Sequence, residues 1–381
     1  MIFLSVILLL SNVFWLALAI QSIGSLRRIA YLPEDGEPVS TPKISIVLPA
    51  RNESRNLSNA LESLLAQDYS NFEILVIDDH SEDNTFEIAQ EFSRRDQRVR
   101  ALKGAELPDG WRGKAWALQQ GAGIADGNWL LFTDADMIHD PRTIRCALGL
   151  AQREKLDLLS IAPHMNCLTF WEKVMLPFFV AILNLVRPLH KSNDPKSNVA
   201  LVSGGFLMMK ALIFRHVGGY EQIHDAIAED LRLAEFFKFH AYKIKTVVSR
   251  SKWVRTRMYD SFKAIWEGLS RHAFEVSNYN PLRLCSAVLL AYAVIVTPAM
   301  VGVYAMVVHD WRLAAYCAFP IVVMVALQSV LNSRWGISLF YFFSFPLATF
   351  FYGMMMLDSM LSFYFRGGNL WKGRRYGRKT A

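Results

Sequence analysis

Long apolar runs at both ends of the chain constrain its fold more than any other feature of the sequence. Residues 1–20 are almost wholly apolar, and three further apolar runs lie between residues 284 and 365. Each run is long enough to cross a bilayer as a helix. The 381 residues are 52% hydrophobic yet 20% charged, which a membrane bundle alone does not explain. We therefore expect a transmembrane anchor (1–26), a soluble domain (27–283), membrane helices (284–365) and a basic tail (366–381).

The charges beside the first apolar run predict its orientation. Arg27 and Arg28 follow the run, whereas a signal peptide carries its positive charges before it. We expect a signal anchor whose carboxyl end is cytoplasmic, with a cleaved leader as the alternative. Pro33–Pro42 is polar and rich in Pro and Gly, which indicates a linker. The apolar segment 170–189 is short and bordered by charges, which favours an interfacial or acceptor-lining helix over a crossing.

The side of the membrane on which the chain ends is ambiguous. The tail carries six basic residues and no acidic residue, which predicts a cytoplasmic location. Three crossings from a cytoplasmic domain would place it outside. Either the last run, which contains Pro346, is bent or re-entrant, or the charge rule fails here.

The overall charge and the cysteines exclude several classes of protein. The net charge of +7 suits an anionic membrane surface or an anionic substrate. No nucleic-acid-binding motif accompanies it, so we expect no nucleic-acid partner. The four cysteines lie far apart without a C-x-x-C motif, which indicates neither a zinc site nor a disulfide framework.

Strand and helix patterns alternate through the middle of the chain. Strands are predicted at 44–49, 72–77, 99–102, 129–132, 156–162 and 199–209, and helices at 56–67, 85–95, 116–124, 141–154 and 225–239. Strands separated by helical spans form right-handed βαβ units. The sequence therefore predicts an α/β domain with a mostly parallel sheet.

Two carboxylates follow the predicted strand at Trp129–Phe132. Side chains of an extended chain alternate between faces, so Asp134 and Asp136 are expected to point the same way. Their mutual repulsion favours a hard divalent cation bound through oxygen. The carboxyl ends of strands are where open α/β sheets bind ligands. One D-x-D motif arises by chance in a chain of this length, so the motif needs supporting neighbours.

Two loops place polar side chains at the same predicted edge of the sheet. Asn52 and Glu53 follow the first strand, and Asp78 and Asp79 end the second. These groups suit a base or a ribose, although helix capping or a turn explains each loop alone. Convergence of the loops in a parallel sheet strengthens the functional interpretation.

Two further motifs carry charge next to predicted helices. Gly110-Trp111-Arg112-Gly113-Lys114 precedes a helix, and its cations suit a diphosphate, although it is not a Walker loop. Glu229 and Asp230 open another helix. A carboxylate at this position is usually a cap, and the alternative is a general base.

These motifs together resemble the family 2 glycosyltransferases. The resemblance covers about residues 44–237, which implies a GT-A fold and a nucleotide-sugar donor. It rests on Pro49…Asn52-Glu53, Asp78-Asp79-x-Ser81-x-Asp83-x-Thr85, Gly113-Lys114, Asp134-x-Asp136, Gly204-Gly205 and Glu229-Asp230. The stretch Pro108-x-Gly110-Trp111-x-Gly113-Lys114-x-Trp116-Ala117 is similar to a membrane subgroup that includes hopene-associated and carotenoid-associated glycosyltransferases.

The resemblance implies roles for individual residues. Ala50, Asn52, Glu53 and Asp79 would hold the nucleoside, with Asp78 as a further candidate. Lys114 would lie near the ribose and diphosphate.

In the same way, Asp134 would touch the ribose or sugar. Asp136 would bind Mg²⁺ or Mn²⁺ that bridges the diphosphate, and Asp230 would be the catalytic base. Processive members of the family carry a Q-x-x-R-W motif, and only Arg271 of the corresponding stretch Gly268–His272 matches it. This departure argues against a chain-elongating polymerase, although Arg271 would still neutralise diphosphate charge.

The sequence thus predicts a multi-pass membrane enzyme with a cytoplasmic catalytic domain. It would transfer a sugar, with inversion, from a nucleotide sugar to a membrane lipid of polyisoprenoid or glycolipid type. A UDP-sugar is the expected donor. A polysaccharide synthase and a non-catalytic membrane scaffold on a transferase fold are the alternatives. A transporter is disfavoured because the membrane runs carry few charges, Asp358 being the exception.

Overall fold

The computed structural model describes residues 2–226, 228–249, 253–371 and 374–376, and the chain divides into two compact units. The sheet unit comprises Arg28–Asn166 and Val186–Met258. The helical unit comprises Met1–Arg27, Cys167–Leu185 and Tyr259–Ala381. Lys372, Arg378 and Lys379 of the predicted basic tail lie outside the described residues.

The strands are β1 (Ile44–Ala50), β2 (Phe72–Asp78), β3 (Val99–Lys103), β4 (Trp129–Phe132), β5 (Met137–His139), β6 (Leu158–Ala162), β7 (His164–Met165), β8 (Leu207–Lys210), β9 (Ile244–Val248), β10 (Val254–Thr256), β11 (Asn369–Trp371) and β12 (Arg374–Tyr376). The helices are α1 (Ile2–Arg27), α2 (Leu57–Leu65), α3 (Thr85–Arg95), α4 (Gly113–Ile124), α5 (Thr143–Arg153), α6 (Phe170–Val186), α7 (Leu189–Ser192), α8 (Ala211–His216), α9 (Glu229–Phe239), α10 (Phe262–Val276), α11 (Pro281–Ala291), α12 (Thr297–Val307), α13 (Trp311–Arg334) and α14 (Ser344–Phe365). Short 3-10 turns lie at Glu221–Ile223 and Leu339–Phe343, and a π-helical turn lies at Tyr292–Val296.

The sheet unit is built on a seven-stranded sheet in the order β3-β2-β1-β4-β8-β6-β9. Strands β3, β2, β1 and β4 are parallel to their neighbours, and β6 is parallel to β9. Strand β8 runs antiparallel to both β4 and β6. The predicted α/β class with a mostly parallel sheet is therefore confirmed. A second sheet of three short strands has the order β5-β10-β7.

Both faces of the main sheet are covered by apolar side chains. On β1, Ile46 and Leu48 contribute to one core cluster, whereas Val47 belongs to the other. The first cluster also contains residues of α2, α3 and α5, and the second contains residues of α4, α8 and α9. Burial on both faces explains why the parallel strands read as continuous apolar runs rather than as alternating patterns.

One sequence interpretation within the sheet unit is wrong. The strand predicted at 199–209 is confined to β8, because Ser203–Phe206 forms a turn that contains the two glycines. The polar segment Pro33–Pro42 contains no helix or strand and connects α1 to β1, and side-chain hydrogen bonds hold it in place. Gln152 of α5 accepts a hydrogen bond from the Val39 backbone N–H at 2.6 Å, and the carbonyl of Pro42 accepts one from Tyr69. These partners attach the segment to the sheet unit.

The described residues contain four helical segments that are long and apolar enough to cross a membrane. They are Leu4–Ser22, Pro281–Val307, Trp311–Arg334 and Leu339–Phe365. Helix α6, with 17 residues and an internal Pro177, is not among them. Its interfacial location stays a prediction.

Asp358, the charged residue inside the last apolar run, is paired within the helical unit. Its Oδ1 lies 2.9 Å from an Arg366 guanidinium nitrogen, and its Oδ2 accepts a hydrogen bond from the Trp266 indole at 2.8 Å. A carboxylate in an apolar run usually marks function. Here the two partners give it a structural role, which joins α14 to α10.

Candidate active site

The loops singled out in the sequence share one edge of the main sheet. Strands β1, β2 and β4 are adjacent and parallel, and Ala50 stands opposite Asp78 in register. The polar loops that follow these three strands therefore leave the sheet at the same edge. This is the edge at which α/β sheets bind ligands.

The loops after β1 and β2 are joined by their polar side chains. The Asn52 backbone N–H donates to Ser81 Oγ at 3.0 Å, and Asn52 Oδ1 accepts from the Glu82 N–H at 2.8 Å. The Glu53 N–H donates to Thr85 Oγ1 at 2.8 Å. Asn52 has φ 53°, a left-handed conformation that Asn adopts more readily than most residues. Much of this motif therefore builds the loop pair, and the nucleoside contacts of Asn52 and Glu53 stay predictions.

The other candidates for nucleoside binding are buried beneath these loops. Ala50 is buried, and its carbonyl accepts a hydrogen bond from the Asp79 N–H at 2.8 Å. Within the part of the chain that the structure describes, buried Asp78 Oδ1 has no hydrogen-bond partner. Burying a polar atom without a partner is costly. A hydrogen-bond donor of a ligand would therefore find an unpaired acceptor at Asp78. The nucleoside contacts of Ala50 and Asp79 stay predictions.

Lys114 joins carboxylates from two different elements. It lies in the first turn of α4, and its Nζ lies 2.7 Å from Asp134 Oδ1 and 2.9 Å from Glu229 Oε1. Burial opposes the charge on the ammonium, but Asp134, Glu229 and Asp230 outweigh it and raise the pKa of Lys114 well above its usual value. The lysine is held as a cation. The predicted contact of Lys114 with diphosphate would require these ion pairs to be shared or exchanged.

Asp230, the predicted base, is fixed by two backbone groups. Its Oδ2 accepts from the Gly204 N–H at 2.7 Å, and its Oδ1 accepts from the Leu231 N–H at 2.8 Å. Burial raises the pKa of Asp230 to about 6, the neighbouring Glu229 charge adds to this, and Lys114 opposes it. A carboxylate with such a pKa can accept a proton near neutral pH. The Gly204 contact was not predicted, because only the folded chain brings the glycine turn to α9.

Asp134 and Asp136 do not extend the strand as predicted. Strand β4 ends at Phe132, and Asp136 lies in a turn. The alternation of an extended chain therefore does not apply, and the two carboxylates have different partners. Asp134 binds Lys114, whereas Asp136 Oδ2 accepts a hydrogen bond from Thr256 Oγ1 at 2.8 Å. Thr256 was missed in the sequence because β10 has only three residues.

Asp136 fits a metal that is shared with a substrate. Mg²⁺ and Mn²⁺ are bound well by carboxylate oxygens, and Mg²⁺ typically takes one or two of them together with water and phosphate oxygens. No group of three or more His, Cys, Asp or Glu side chains is placed to hold a metal among the described residues. A cation held by Asp136 would have to complete its coordination with water or substrate oxygens, and the metal role of Asp136 stays a prediction.

Arg271, the other predicted catalytic residue, lies in α10 of the helical unit. The structure brings Lys114, Asp134, Glu229 and Asp230 together within the sheet unit. Its role toward the diphosphate stays a prediction.

The comparisons with known proteins agree with this geometry. Residues 45–218 match the model of the family described as "Glycosyl transferase family 2". The chain carries a family 2 glycosyltransferase domain. The family predicted from the motifs is thereby confirmed. The matched range contains the loops after β1 and β2, Lys114, and the turn that holds Asp134 and Asp136, called the acidic turn below.

Two curated relatives each match more than half of this chain. A 4,4'-diaponeurosporenoate glycosyltransferase of Staphylococcus haemolyticus is 27% identical over 245 residues, which are 62% of this chain and 62% of that protein. A poly-beta-1,6-N-acetyl-D-glucosamine synthase of Staphylococcus epidermidis is 28% identical over 204 residues, which are 53% of this chain and 47% of that protein. The chain thus spans about half to three-fifths of the length of these relatives. The first name agrees with the predicted carotenoid-associated subgroup.

A solved structure supports the fold of the glycosyltransferase. The mannosyltransferase PcManGT from Pyrobaculum calidifontis, in complex with GDP-Man and Mn²⁺, is similar with a TM-score of 0.58 and 17% sequence identity. The similarity covers 94% of this chain and 99% of that one. At this identity the likeness establishes the fold alone, and the predicted GT-A fold is confirmed.

Proposed function

We propose that this protein transfers a sugar, with inversion, from a nucleotide-sugar donor to a membrane lipid at the cytoplasmic face. The observation that carries the proposal is the cluster of Lys114, Asp134, Glu229 and Asp230 at the ligand-binding edge of a GT-A sheet. It combines a fixed carboxylate of raised pKa with a cation and with the acidic turn. Base, diphosphate and metal chemistry are therefore available within one edge.

Asp230 is the base of the proposed reaction. Its two backbone hydrogen bonds hold both oxygens in place, so that the carboxylate needs little reorganisation when it accepts the proton of an acceptor hydroxyl. The acceptor oxygen then forms a bond to the anomeric carbon while the bond from that carbon to the diphosphate breaks. One displacement of this kind inverts the anomeric configuration.

Asp136 and Lys114 serve the departing diphosphate. A divalent cation on Asp136 would neutralise the negative charge that develops on the leaving group. Thr256 fixes one oxygen of Asp136, which orients the carboxylate. Lys114 supplies a second positive charge from the first turn of α4, once its bonds to Asp134 and Glu229 are shared with the substrate.

Two observations support a lipid as the acceptor. The relative from Staphylococcus haemolyticus is named for an apolar carotenoid acid, and four helical segments of this chain are suited to a membrane. A UDP-sugar is the donor expected from the sequence. GDP-Man occupies the similar mannosyltransferase structure, so both nucleotides belong in a test.

The proposal is tested with membranes that contain the full chain, native lipid extract and a panel of labelled UDP- and GDP-sugars. We expect metal-dependent transfer of label into the lipid fraction, which Asp230→Asn and Asp136→Ala abolish. Glu235→Gln on α9 is the matched control, because Glu235 pairs with Arg187 and not with Lys114 or Asp230. Transfer that is unchanged in both site variants would exclude these residue roles. Absence of both transfer and metal-dependent nucleotide binding would favour the non-catalytic scaffold.

A polysaccharide synthase is the second candidate, because relatives with that activity in their names match 53% of this chain. The Q-x-x-R-W motif is represented only by Arg271, which argues for the lipid acceptor. The length of the labelled product separates the two, since one transferred sugar per lipid supports the proposal and a polymer supports the synthase.

A further inference from the structure

We propose that Thr133 and His139 are positioning residues that hold the acidic turn in register with the catalytic base. This inference rests on the proposed function and names the part of the fold that sets the distance between the Asp136 metal position and Asp230. Neither residue belongs to the motifs of the sequence analysis, and neither has a role in the proposed chemistry.

The two side chains bracket the acidic turn. Thr133 directly precedes Asp134, and His139 lies in β5 directly after the turn. Thr133 Oγ1 lies 3.0 Å from His139 Nε2 and donates a hydrogen bond to the Gly205 carbonyl at 2.8 Å. The bond between the two side chains therefore closes the chain around Asp134 and Asp136.

The directions of the hydrogen bonds follow from the number of protons available. A hydroxyl has one proton, and Thr133 gives it to Gly205. Thr133 must therefore accept from His139, which places the imidazole proton on Nε2. Nδ1 then carries a lone pair, is buried, and has no hydrogen-bond partner among the residues described.

The network continues from the turn to the base. Gly205 accepts the bond from Thr133, while the preceding Gly204 donates its N–H to Asp230 Oδ2 at 2.7 Å. Two adjacent glycines thus connect the acidic turn on one side with the Asp230 carboxylate on the other. Because the two glycines are consecutive in the chain, a shift of the turn that displaces the Gly205 carbonyl would also move the Gly204 N–H that binds Asp230.

His139 acts in this network as a neutral donor. Burial lowers its pKa to about 3, so the imidazole is uncharged throughout the pH range of enzyme assays. It faces Thr133 and the Phe206 ring, and its backbone N–H donates to Ser63 Oγ of α2 at 3.1 Å. These contacts attach the turn to a rigid helix. The pair therefore works by geometry and does not titrate during turnover.

The experiment compares Thr133→Val, which keeps the shape but removes the hydroxyl, with Thr133→Ser, which keeps the hydroxyl. Full-length protein is titrated with Mn²⁺ in the presence of UDP or GDP, and free Mn²⁺ is followed by electron paramagnetic resonance. Loss of groups that orient metal ligands typically weakens metal affinity by about 10- to 100-fold. We expect Thr133→Val to weaken nucleotide-dependent Mn²⁺ binding by at least about tenfold and to lower kcat, and the donor KM should rise because the cation is shared with the diphosphate. Thr133→Ser should restore all three.

A purely structural role predicts another pattern. If Thr133→Val lowers Tm but keeps the Mn²⁺ affinity and kcat of folded wild-type protein, the proposal is overturned. If Thr133→Val does not fold, His139→Leu serves instead, because it leaves the Thr133 bond to Gly205 in place. We expect His139→Leu to weaken Mn²⁺ binding and to lower kcat as well. Unaltered Mn²⁺ binding and kcat would overturn the proposed role of the two residues.

The outcomes for the pair and for the proposed function are distinguishable. Wild-type protein that binds Mn²⁺ with nucleotide but transfers no sugar contradicts the proposed function, while the Mn²⁺ titration still tests the pair. If the wild type transfers sugar and Thr133→Val keeps its Mn²⁺ affinity and kcat, only the proposed role of Thr133 and His139 is contradicted. Absence of nucleotide-dependent Mn²⁺ binding in the wild type overturns both.

Discussion

At the scale of residues, the site is governed by one cation among three carboxylates. Lys114 pairs with Asp134 and Glu229, and its charge also acts on Asp230. Burial is the main cause of the raised pKa of Asp230, and the excess negative charge of the cluster adds to it. A divalent cation brought in with the diphosphate would relieve the same excess. The charge balance therefore links the strength of the base to the binding of the donor.

The pH dependence of the reaction follows from Asp230. A base works only when it is deprotonated, so activity is lost as pH falls through its pKa. With that pKa at about 6, we expect kcat/KM to fall about tenfold per pH unit below this value. Glu229→Gln removes a neighbouring negative charge, which lowers the pKa of Asp230 and moves the acidic limb to lower pH. Initial rates at low donor concentration from pH 4.5 to pH 8 (about a 3,000-fold range of proton activity) measure the acidic limb of the wild type and of the variant.

The control for this prediction is Glu235→Gln, which removes a carboxylate from the same helix but outside the cluster. Its acidic limb should coincide with that of the wild type. A limb in Glu229→Gln that stays at the wild-type pH, or moves to higher pH, would contradict the electrostatic coupling between Glu229 and Asp230.

At the scale of elements, α4 carries Lys114 and must approach the sheet closely. A Cβ at Gly121 would overlap Val47 Cγ1 and lie 3.2 Å from Ile77 Cγ1, whereas a Cβ at Gly123 would meet nothing within 4 Å. We expect Gly121→Ala to lower the free energy of unfolding by about 1–3 kcal/mol through overpacking. Gly123→Ala should raise it by about 0.5–1 kcal/mol through helix propensity. Thermal unfolding of the purified variants provides the measurement.

The same pair of variants tests whether α4 positions the site. Gly121→Ala should also lower the transfer rate, because displacement of α4 moves Lys114 away from Asp134. Gly123→Ala should leave the rate unchanged. Equal stability of the two variants, or a Gly121→Ala variant more stable than the wild type, would mean that α4 does not pack as closely as described.

Local sequence patterns predicted the elements that have a clear apolar run or a clear helical spacing. The strands β1, β2 and β4 and the amphipathic helices between them follow from apolar runs and helical spacing. The antiparallel direction of β8 and the pairing of β10 with β5 depend on contacts across long stretches of chain, which a local pattern does not encode. For the same reason the sequence indicated Asp134, Asp136 and Asp230 as acids but not their partners Thr256 and Gly204.

At the scale of the whole molecule, contacts within the helical unit help to predict on which side of the membrane the chain ends. The Phe274 N–H of α10 donates to Ser359 Oγ of α14 at 3.2 Å, and the rings of Phe274 and Phe363 lie 5.2 Å apart. Leu284, near the start of α11, is buried in the same cluster. The end of α14 therefore packs beside the point at which the chain enters the segment Pro281–Val307. Three complete crossings in sequence would instead place those two points on opposite faces.

We therefore expect the residues after α14 to lie on the face from which the chain enters at Pro281, with the last apolar run re-entrant rather than crossing. The basic charge of the tail favours the same cytoplasmic face. An epitope after Ala381 should be digested by protease in inside-out vesicles and protected in right-side-out vesicles. An epitope at His309-Asp310, between the two preceding segments, is the matched control and should behave in the opposite way. Equal behaviour of the two epitopes would show that Leu339–Phe365 crosses completely, and Asp358 would then lie within a true span together with Arg366 as its partner.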